Sequence, residues 1–183
     1  MENKKIRSLI AGPTDKTKIF RFGKIKKEDY PAFIEGIGHC LVEGLSRLDL
    51  IPDEGVPLDI ARAYKRLGGE QVVGYVPLGG CESLRPYFEV CDTVEEFDSG
   101  WSGLNTCLSL RSGNIISVGM SPGTMVELAY TKYHGKYMGN NIPLLIDLRA
   151  IEGRLPLAVE DEVDARYFDS NKQLMELLGD LRK

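Results

Sequence analysis

The chain has 183 residues, of which 43% are hydrophobic and 27% charged; 23 Lys and Arg against 27 Asp and Glu give a net charge of −4. This composition excludes global disorder and argues against a dedicated nucleic-acid binder, which would carry a basic surface. No apolar run could span a bilayer and no secretory signal is visible, so we expect one cytoplasmic domain over residues 1–183, with neither membrane nor nucleic acid as partner.

The first half of the chain alternates apolar runs of strand length with segments of helical period. It predicts strands at Ile6–Gly12, Leu48–Pro52 and Gln71–Pro77, and helices from Asp29 to about Arg47 and from Pro57 to Gly68. A polar loop containing Lys24, Lys26 and Lys27 follows the first strand, and we interpret these lysines as solvated. Three glycines in the first helix (Gly36, Gly38 and Gly44) are interpreted as positions of close approach to a sheet.

The second half continues the alternation less regularly. It predicts a short strand at Phe88–Cys91 and strands at Asn114–Val118 and Pro143–Leu148, with a polar segment at Asp92–Asp98. It also predicts a helix from Trp101 that is ended by Gly113, with Leu104, Cys107 and Leu108 on one face, and a helix at Asn171–Arg182. Between the last two strands it predicts a long helix with Val126, Tyr130, Tyr133 and Tyr137 on one face. Strand, helix and strand of these lengths form βαβ units. The pattern therefore indicates an α/β fold with a mostly parallel sheet and helices on both faces.

Cysteine and histidine provide no metal-binding pattern. Cys40, Cys81, Cys91 and Cys107 lie far apart without a Cys-x-x-Cys pair, and the chain has only two histidines, His39 and His134. We interpret the cysteines as reduced thiols and His39, which falls off the apolar stripe of its helix, as solvent-facing. The sequence predicts no metal site and no bound cofactor.

In a parallel sheet of this kind, ligands bind beyond the carboxyl ends of the strands, near the point where the strand order reverses. The candidate loops are Gly12-Pro13-Thr14, Asp53-Glu54-Gly55, Gly119–Thr124 and Asp147–Arg149.

The loop at Gly119–Thr124 has the strongest signal. Ser121 is a good N-cap and Pro122 fits the first turn of a helix, while Gly123 lets a ligand approach the backbone and Thr124 adds a hydroxyl. A buried strand that leads into a helix start directs unpaired N–H groups at one point, which favours an anion. Glu127 lies one turn further on; it is either a ligand-facing acid or an ordinary first-turn acid that stabilises the helix dipole.

At this loop the sequence resembles the SLOG superfamily, the Rossmann-like group that includes the Lonely Guy (LOG) phosphoribohydrolases, the molybdenum-cofactor carrier-like proteins and DNA-processing protein A. Gly123, Thr124 and Glu127 match the Gly, Thr and Glu of the LOG motif Pro-Gly-Gly-x-Gly-Thr-x-x-Glu, whereas Gly119, Met120 and Ser121 stand where Pro-Gly-Gly is expected. Five residues between Pro52 and Pro77 add to the likeness: Gly55, Gly68, Gly69, Gly74 and Pro77. The resemblance implies a Rossmann-like three-layer sandwich and a homodimer.

The resemblance also implies roles for individual residues. Gly12, Gly55, Asn105 and Ser121–Thr124 would hold a phosphate or nucleotide, Asp53 or Glu54 would contact a ribose, and Glu127 would stabilise positive charge on the ribose during N-glycosidic cleavage. The arginine that pairs with this glutamate in the enzymes is replaced by Leu104, and Arg111 is a weak substitute on the same predicted helix.

Two hypotheses remain open at this point. The first is a non-catalytic nucleotide-binding protein that acts as a sensor or carrier. The second is a phosphoribohydrolase that cleaves a nucleoside 5′-monophosphate to the free base and ribose 5-phosphate. Other chemistry on the same fold is a third possibility, and a DNA-processing role is disfavoured by the negative charge.

Overall fold

The computed structural model describes residues 6–79, 82–98, 100–139 and 141–183. Its strands are β1 (Ile6–Ala11), β2 (Leu45–Leu50), β3 (Gln71–Pro77), β4 (Thr93–Phe97), β5 (Ile115–Ser117), β6 (Pro143–Asp147) and β7 (Asp164–Phe168). Its helices are α1 (Thr17–Phe22), α2 (Tyr30–Gly44), α3 (Val56–Arg66), α4 (Trp101–Arg111), α5 (Pro122–Met138), α6 (Leu157–Glu160) and α7 (Asn171–Asp180), with a 3₁₀ helix at Glu82–Val90.

The strands form one sheet in the order β4-β3-β2-β1-β5-β6-β7, and each neighbouring pair in the described residues is parallel. One face of the sheet packs against α1, α2, α3 and α7, and the other packs against α4, α5 and the segment around Leu155. This arrangement confirms the predicted α/β, Rossmann-like three-layer sandwich with a largely parallel sheet.

The order of the strands places a reversal between β1 and β5. The chain builds outward from β1 through β2 and β3 to β4 at one edge, then returns to add β5 on the other side of β1. The loops after these two central strands therefore diverge to opposite faces of the sheet, which opens a crevice at their carboxyl ends.

In the first half, two predicted boundaries were wrong. The first helix ends at Gly44 rather than near Arg47, because the second strand covers Leu45–Leu50 rather than the predicted Leu48–Pro52. The lysine-containing loop includes the short helix α1, which begins where Asp15 accepts hydrogen bonds from both the N–H and the hydroxyl of Thr17.

In the second half, the strand predicted at Phe88–Cys91 is wrong, because most of that segment belongs to the 3₁₀ helix. Three elements were not predicted: the two edge strands β4 and β7, and the single-turn helix α6. The edge strands have mostly exposed or half-buried side chains and therefore lack the apolar runs of the central strands.

The three glycines of α2 approach other helices rather than the sheet. A Cβ atom at Gly36 would meet Asn171 of α7, one at Gly38 would meet Ala63 of α3, and one at Gly44 would meet Leu178 of α7. The interpretation as close-approach positions was therefore right, but the neighbour was wrong.

The remaining expectations concern single residues and membrane spans. His39 is exposed, as predicted. Cys40 and Cys91 are free thiols, whereas Cys81 and the side chains of Cys107 and Tyr137 lie outside the described residues. No helix in the described ranges is long and apolar enough to cross a membrane.

Candidate functional site

A cavity of about 150 Å³, here called the inner cavity, lies at the carboxyl ends of β1, β2 and β5, beside the first turns of α4 and α5. Most of the residues predicted for the site line it: Gly12, Asp53, Glu54, Asn105, Ser121, Gly123, Thr124 and Glu127. Three predicted residues, Gly55, Pro122 and Arg111, do not.

The start of α5 forms one wall of the inner cavity. Ser121 caps the helix, since its Oγ accepts a hydrogen bond from the Thr124 N–H at 3.1 Å and lies 2.8 Å from the Thr124 Oγ1. Pro122 has no N–H, so Gly123 is the first residue of the helix that can offer a backbone donor, and no acceptor for it is found in the described part of the chain. A Cβ atom at Gly123 would approach only the Ser121 Oγ, at 3.8 Å, so the space above this amide is open.

Glu127 lies one turn deeper on the same helix and is only 9% exposed. Burial raises the pKa of its carboxyl to about 7, because the apolar surroundings disfavour the charged form. No lysine or arginine lines the inner cavity among the described residues, so nothing offsets this effect. The side chain is therefore a largely uncharged acid below neutral pH.

The first turns of α4 form the opposite wall. The Asn105 Oδ1 is buried without a hydrogen-bond partner in the described residues, and its side chain lines the cavity. Leu104, which stands where the LOG enzymes carry arginine, is fully buried in the core. A buried acceptor without a partner is unfavourable, so a donor from a bound ligand would stabilise this arrangement.

Trp101 is a lining residue that the sequence did not indicate. It is the first residue of α4, is 46% exposed, and contacts the cavity together with Asn105. The sequence predicted a helix that begins at Trp101, and the structure leaves the indole of this first residue partly exposed. The missing signal was β4, whose end fixes where α4 starts.

The loop between β2 and α3 supplies carboxylates. The Asp53 Oδ1 accepts a hydrogen bond from the Glu54 N–H at 2.7 Å, and the exposed Glu54 accepts one from the Tyr87 hydroxyl. This contact with Glu54 raises the pKa of Tyr87. The carboxylates of Asp53 and Glu54 thus lie at the mouth of the inner cavity, where they disfavour highly charged anions.

Two glycines fix the backbone around the cavity. Gly55 has φ +98°, and a Cβ atom there would lie 2.2 Å from the Thr14 carbonyl oxygen, so this position requires glycine and serves the turn rather than the cavity. At Gly12 a Cβ atom would lie 2.6 Å from the Val118 carbonyl oxygen, which shows how closely the ends of β1 and β5 approach.

Arg111 and the loop after β6 lie away from the inner cavity. Arg111 is exposed in the last turn of α4, with its guanidinium 4.8 Å from the centre of the Phe97 ring. Asp147 is fully buried and holds Arg149 through two of its guanidinium nitrogens, so this fourth candidate loop is occupied by an internal ion pair. No cluster of three potential metal ligands is present in the described ranges.

Comparison with known proteins shows the fold by structure alone. No protein-family model matches the sequence, and no curated protein matches it. The molybdenum cofactor carrier protein of Chlamydomonas reinhardtii matches over 97% of this chain and 98% of its own, with a TM-score of 0.68 and 19% identity. The fold is that of a molybdenum cofactor carrier protein.

Two further structures agree with this assignment of the fold. The molybdenum cofactor binding protein of the phototrophic bacterium Rippkaea orientalis covers 98% of this chain and 99% of its own, with a TM-score of 0.67 and 16% identity. A protein called TM1055 covers 96% and 99%, with a TM-score of 0.70 and 14% identity. The resemblance that the α5 loop indicated therefore extends over nearly the whole chain as a likeness of fold.

Proposed function

We propose that this chain is a carrier or sensor that binds a small nucleotide-like phosphate, of the nucleoside monophosphate type, in the inner cavity. The observation that carries the proposal is that one cavity brings together the Asn105 Oδ1, which is buried without a hydrogen-bond partner in the described residues, and the buried Glu127 carboxyl, whose pKa is raised by burial. Both lie beside a helix start with an open amide at Gly123. Two proteins of the same fold are named as carrying or binding the molybdenum cofactor, which supports the binding of a small cofactor-like ligand here.

Each wall of the cavity would recognise a different part of such a ligand. The phosphate would lie at the Gly123 amide and the Thr124 hydroxyl, and the protonated Glu127 would donate to one of its oxygens. The Asn105 Oδ1 would accept a hydrogen bond from the ligand. The exposed indole of Trp101 would stack on a planar ring, and Asp53 would accept from a ribose hydroxyl.

Binding without hydrolysis is favoured because no arginine or lysine lines the inner cavity among the described residues. A ribosyl transition state carries positive charge near the scissile bond, and the phosphate needs a compensating charge elsewhere. Leu104 is buried in the core, and Arg111 lies at the far end of α4 against Phe97. Hydrolysis of an N-glycosidic bond is the second candidate, because the pKa of Glu127, about 7, suits an acid or base at neutral pH.

The proposal includes a homodimer in the cytoplasm. One face of α5 exposes Val126, Tyr130 and Tyr133, which a second copy of the chain would cover. Sedimentation velocity of the purified protein would test the dimer, and a monomer at all concentrations would contradict it.

A titration with AMP and ribose 5-phosphate tests the binding function. Gly123→Ala adds one methyl group into the open space above the amide and should weaken the binding of both compounds at least tenfold. Gly179→Ala is the matched control, since it also lies in a helix and its Cβ would meet nothing within 4 Å. If neither compound binds the unaltered chain, the proposed function is wrong.

A base-release assay separates the two candidates. The purified protein is incubated with AMP, and free adenine is measured by chromatography. The carrier function predicts binding without release. Release that Glu127→Gln abolishes would instead establish the hydrolase.

A further inference from the structure

A second and larger cavity, here called the outer cavity, lies on the other side of the α5 start. It has a volume of about 470 Å³, between α1, the first turn of α5 and residues 150–156. Among the described residues, Ser121 is the one that lines both cavities. The volume lies within the range of about 300–1,000 Å³ that is typical of small-molecule sites.

The lining of the outer cavity is mainly apolar. Phe22, Met120, Met125, Ile151 and Leu155 are among the residues that line it. Phe22 is 42% exposed, although a ring of this size is usually buried. Methionine thioethers are polarisable and make favourable contacts with aromatic rings, so this lining suits a flat aromatic group.

The wall formed by residues 150–156 is anchored to the rest of the protein. Ile151 and Leu155 are buried, and the Leu155 N–H donates a hydrogen bond to the Tyr167 hydroxyl at 3.1 Å. Arg154 forms an ion pair with Glu160, and its guanidinium lies 4.4 Å from the centre of the Tyr167 ring. This wall is therefore held in place by contacts within the protein.

One positive charge in the outer cavity forms no ion pair in the part of the chain that the structure describes. Lys18 lines the cavity, and no ion pair to it is found within the described ranges; after the hydrogen bonds from Thr17, its charge also lowers the pKa of the exposed Asp15. Arg154 is already paired, and the carboxylate of Glu152 lies on the exposed outer rim. An apolar space with a cation that is not held in an ion pair is complementary to an apolar compound with one negative charge.

We propose that the outer cavity is a second ligand site, which binds a small aromatic carboxylate. The ring would lie among Met120, Met125 and Leu155, and the carboxylate would pair with Lys18. This site goes beyond the proposed nucleotide site, since the lining residues differ except for Ser121.

Calorimetric titration with 2-naphthoate and with its neutral analogue 2-naphthylmethanol tests the role of Lys18. The unaltered chain should bind the carboxylate at least fivefold more tightly than the alcohol. Lys18→Met should remove that difference, and Lys27→Met, an equal change of charge at an exposed loop position, should preserve it. A preference that survives Lys18→Met, or no binding of 2-naphthoate at all, would overturn the proposal.

Blocking variants distinguish the two cavities. A Cβ atom at Gly153 would meet nothing within 4 Å, so Gly153→Trp can place its ring in the outer cavity and should lower the affinity for 2-naphthoate at least tenfold. Gly179→Trp on α7 is the control and should leave the affinity unchanged. Gly123→Ala should also leave it unchanged; if it abolishes the binding of 2-naphthoate, the ligand occupies the inner cavity and the outer site is wrong.

Discussion

Glu127 links the candidate site to the stability of the folded chain. Its pKa is raised from 4.5 to about 7 by burial, so between these values the folded chain retains a proton that the unfolded chain loses. The contribution of this group to stability is therefore greatest below pH 4.5 and falls as the pH rises to about 7. Because one pKa unit corresponds to about 1.4 kcal/mol, this group lowers the free energy of unfolding by about 3 kcal/mol between pH 4.5 and pH values above 7.

Glu127→Gln should remove this dependence, because glutamine resembles the protonated acid and carries no charge at any pH. We expect the variant to be more stable than the unaltered chain at pH 8 by about 2–3 kcal/mol, with a smaller difference at pH 5. Urea unfolding at both pH values measures the difference. The exposed Glu152→Gln is the control, and equal differences for Glu127→Gln at pH 5 and pH 8 would contradict the prediction.

Asn105 allows a second test, because its unpaired oxygen weakens the unliganded protein. Asn105→Leu should stabilise the unliganded chain by about 1 kcal/mol and should weaken AMP binding at least tenfold. Asn114 is the matched control: it is also a buried asparagine, just before β5, but it accepts from the Ser8 hydroxyl and donates to the Arg7 carbonyl. Asn114→Leu should therefore destabilise the chain in the same unfolding experiment; stabilisation by both variants would refute the argument.

At the scale of elements, the central strands and the long helices could be predicted from the sequence because burial on both faces gives them continuous apolar runs. β3 and β6 are examples, with nearly every side chain buried. β4 and β7 could not be predicted in this way. Their polar sequences form strands because β3 and β6 offer them a paired edge, and such pairing depends on residues distant in sequence.

The same distinction applies to the candidate site. The helix start at Ser121–Thr124 and Glu127 was predicted because capping chemistry and a motif are local in sequence. The exposure of Trp101 was not predicted, because it depends on where β4 ends and α4 begins. The position of Arg111 away from the inner cavity could not be predicted either. It depends on the direction of α4 across the sheet, which no local pattern specifies.

Gly55 lets the contribution of a single turn be measured. Gly55→Ala should destabilise the chain by about 3 kcal/mol or more, since a positive φ disfavours alanine and its Cβ would overlap the Thr14 carbonyl oxygen. Gly68→Ala has a similar φ of +94° but would meet nothing within 4 Å, so it should cost only about 1–2 kcal/mol. Urea unfolding separates the two costs, and equal values would show that the close approach to Thr14 does not limit the turn.

At the scale of the whole molecule, Arg149 joins the sheet to one helix layer. Its guanidinium pairs with the fully buried Asp147 at the end of β6, lies 4.9 Å from the Phe33 ring of α2 and donates to the Asn171 Oδ1 at 2.9 Å. It also lies 5.8 Å from the ring of Phe168 in β7. Four elements, β6, β7, α2 and α7, therefore contact a single cation.

Arg149→Met should keep much of the apolar contact but leave Asp147 buried without a counter-ion, at a cost of about 3–5 kcal/mol at pH 8. Burial already raises the pKa of Asp147 despite its pairing with Arg149, so removal of the cation should raise it further and the loss of stability should be smaller at pH 5. Combining Arg149→Met with Asp147→Asn should recover part of the stability at pH 8.

Arg154→Met is the control on an exposed ion pair and should cost less than about 1 kcal/mol. A similar cost for Arg149→Met and Arg154→Met would mean that the layers are held by apolar packing alone.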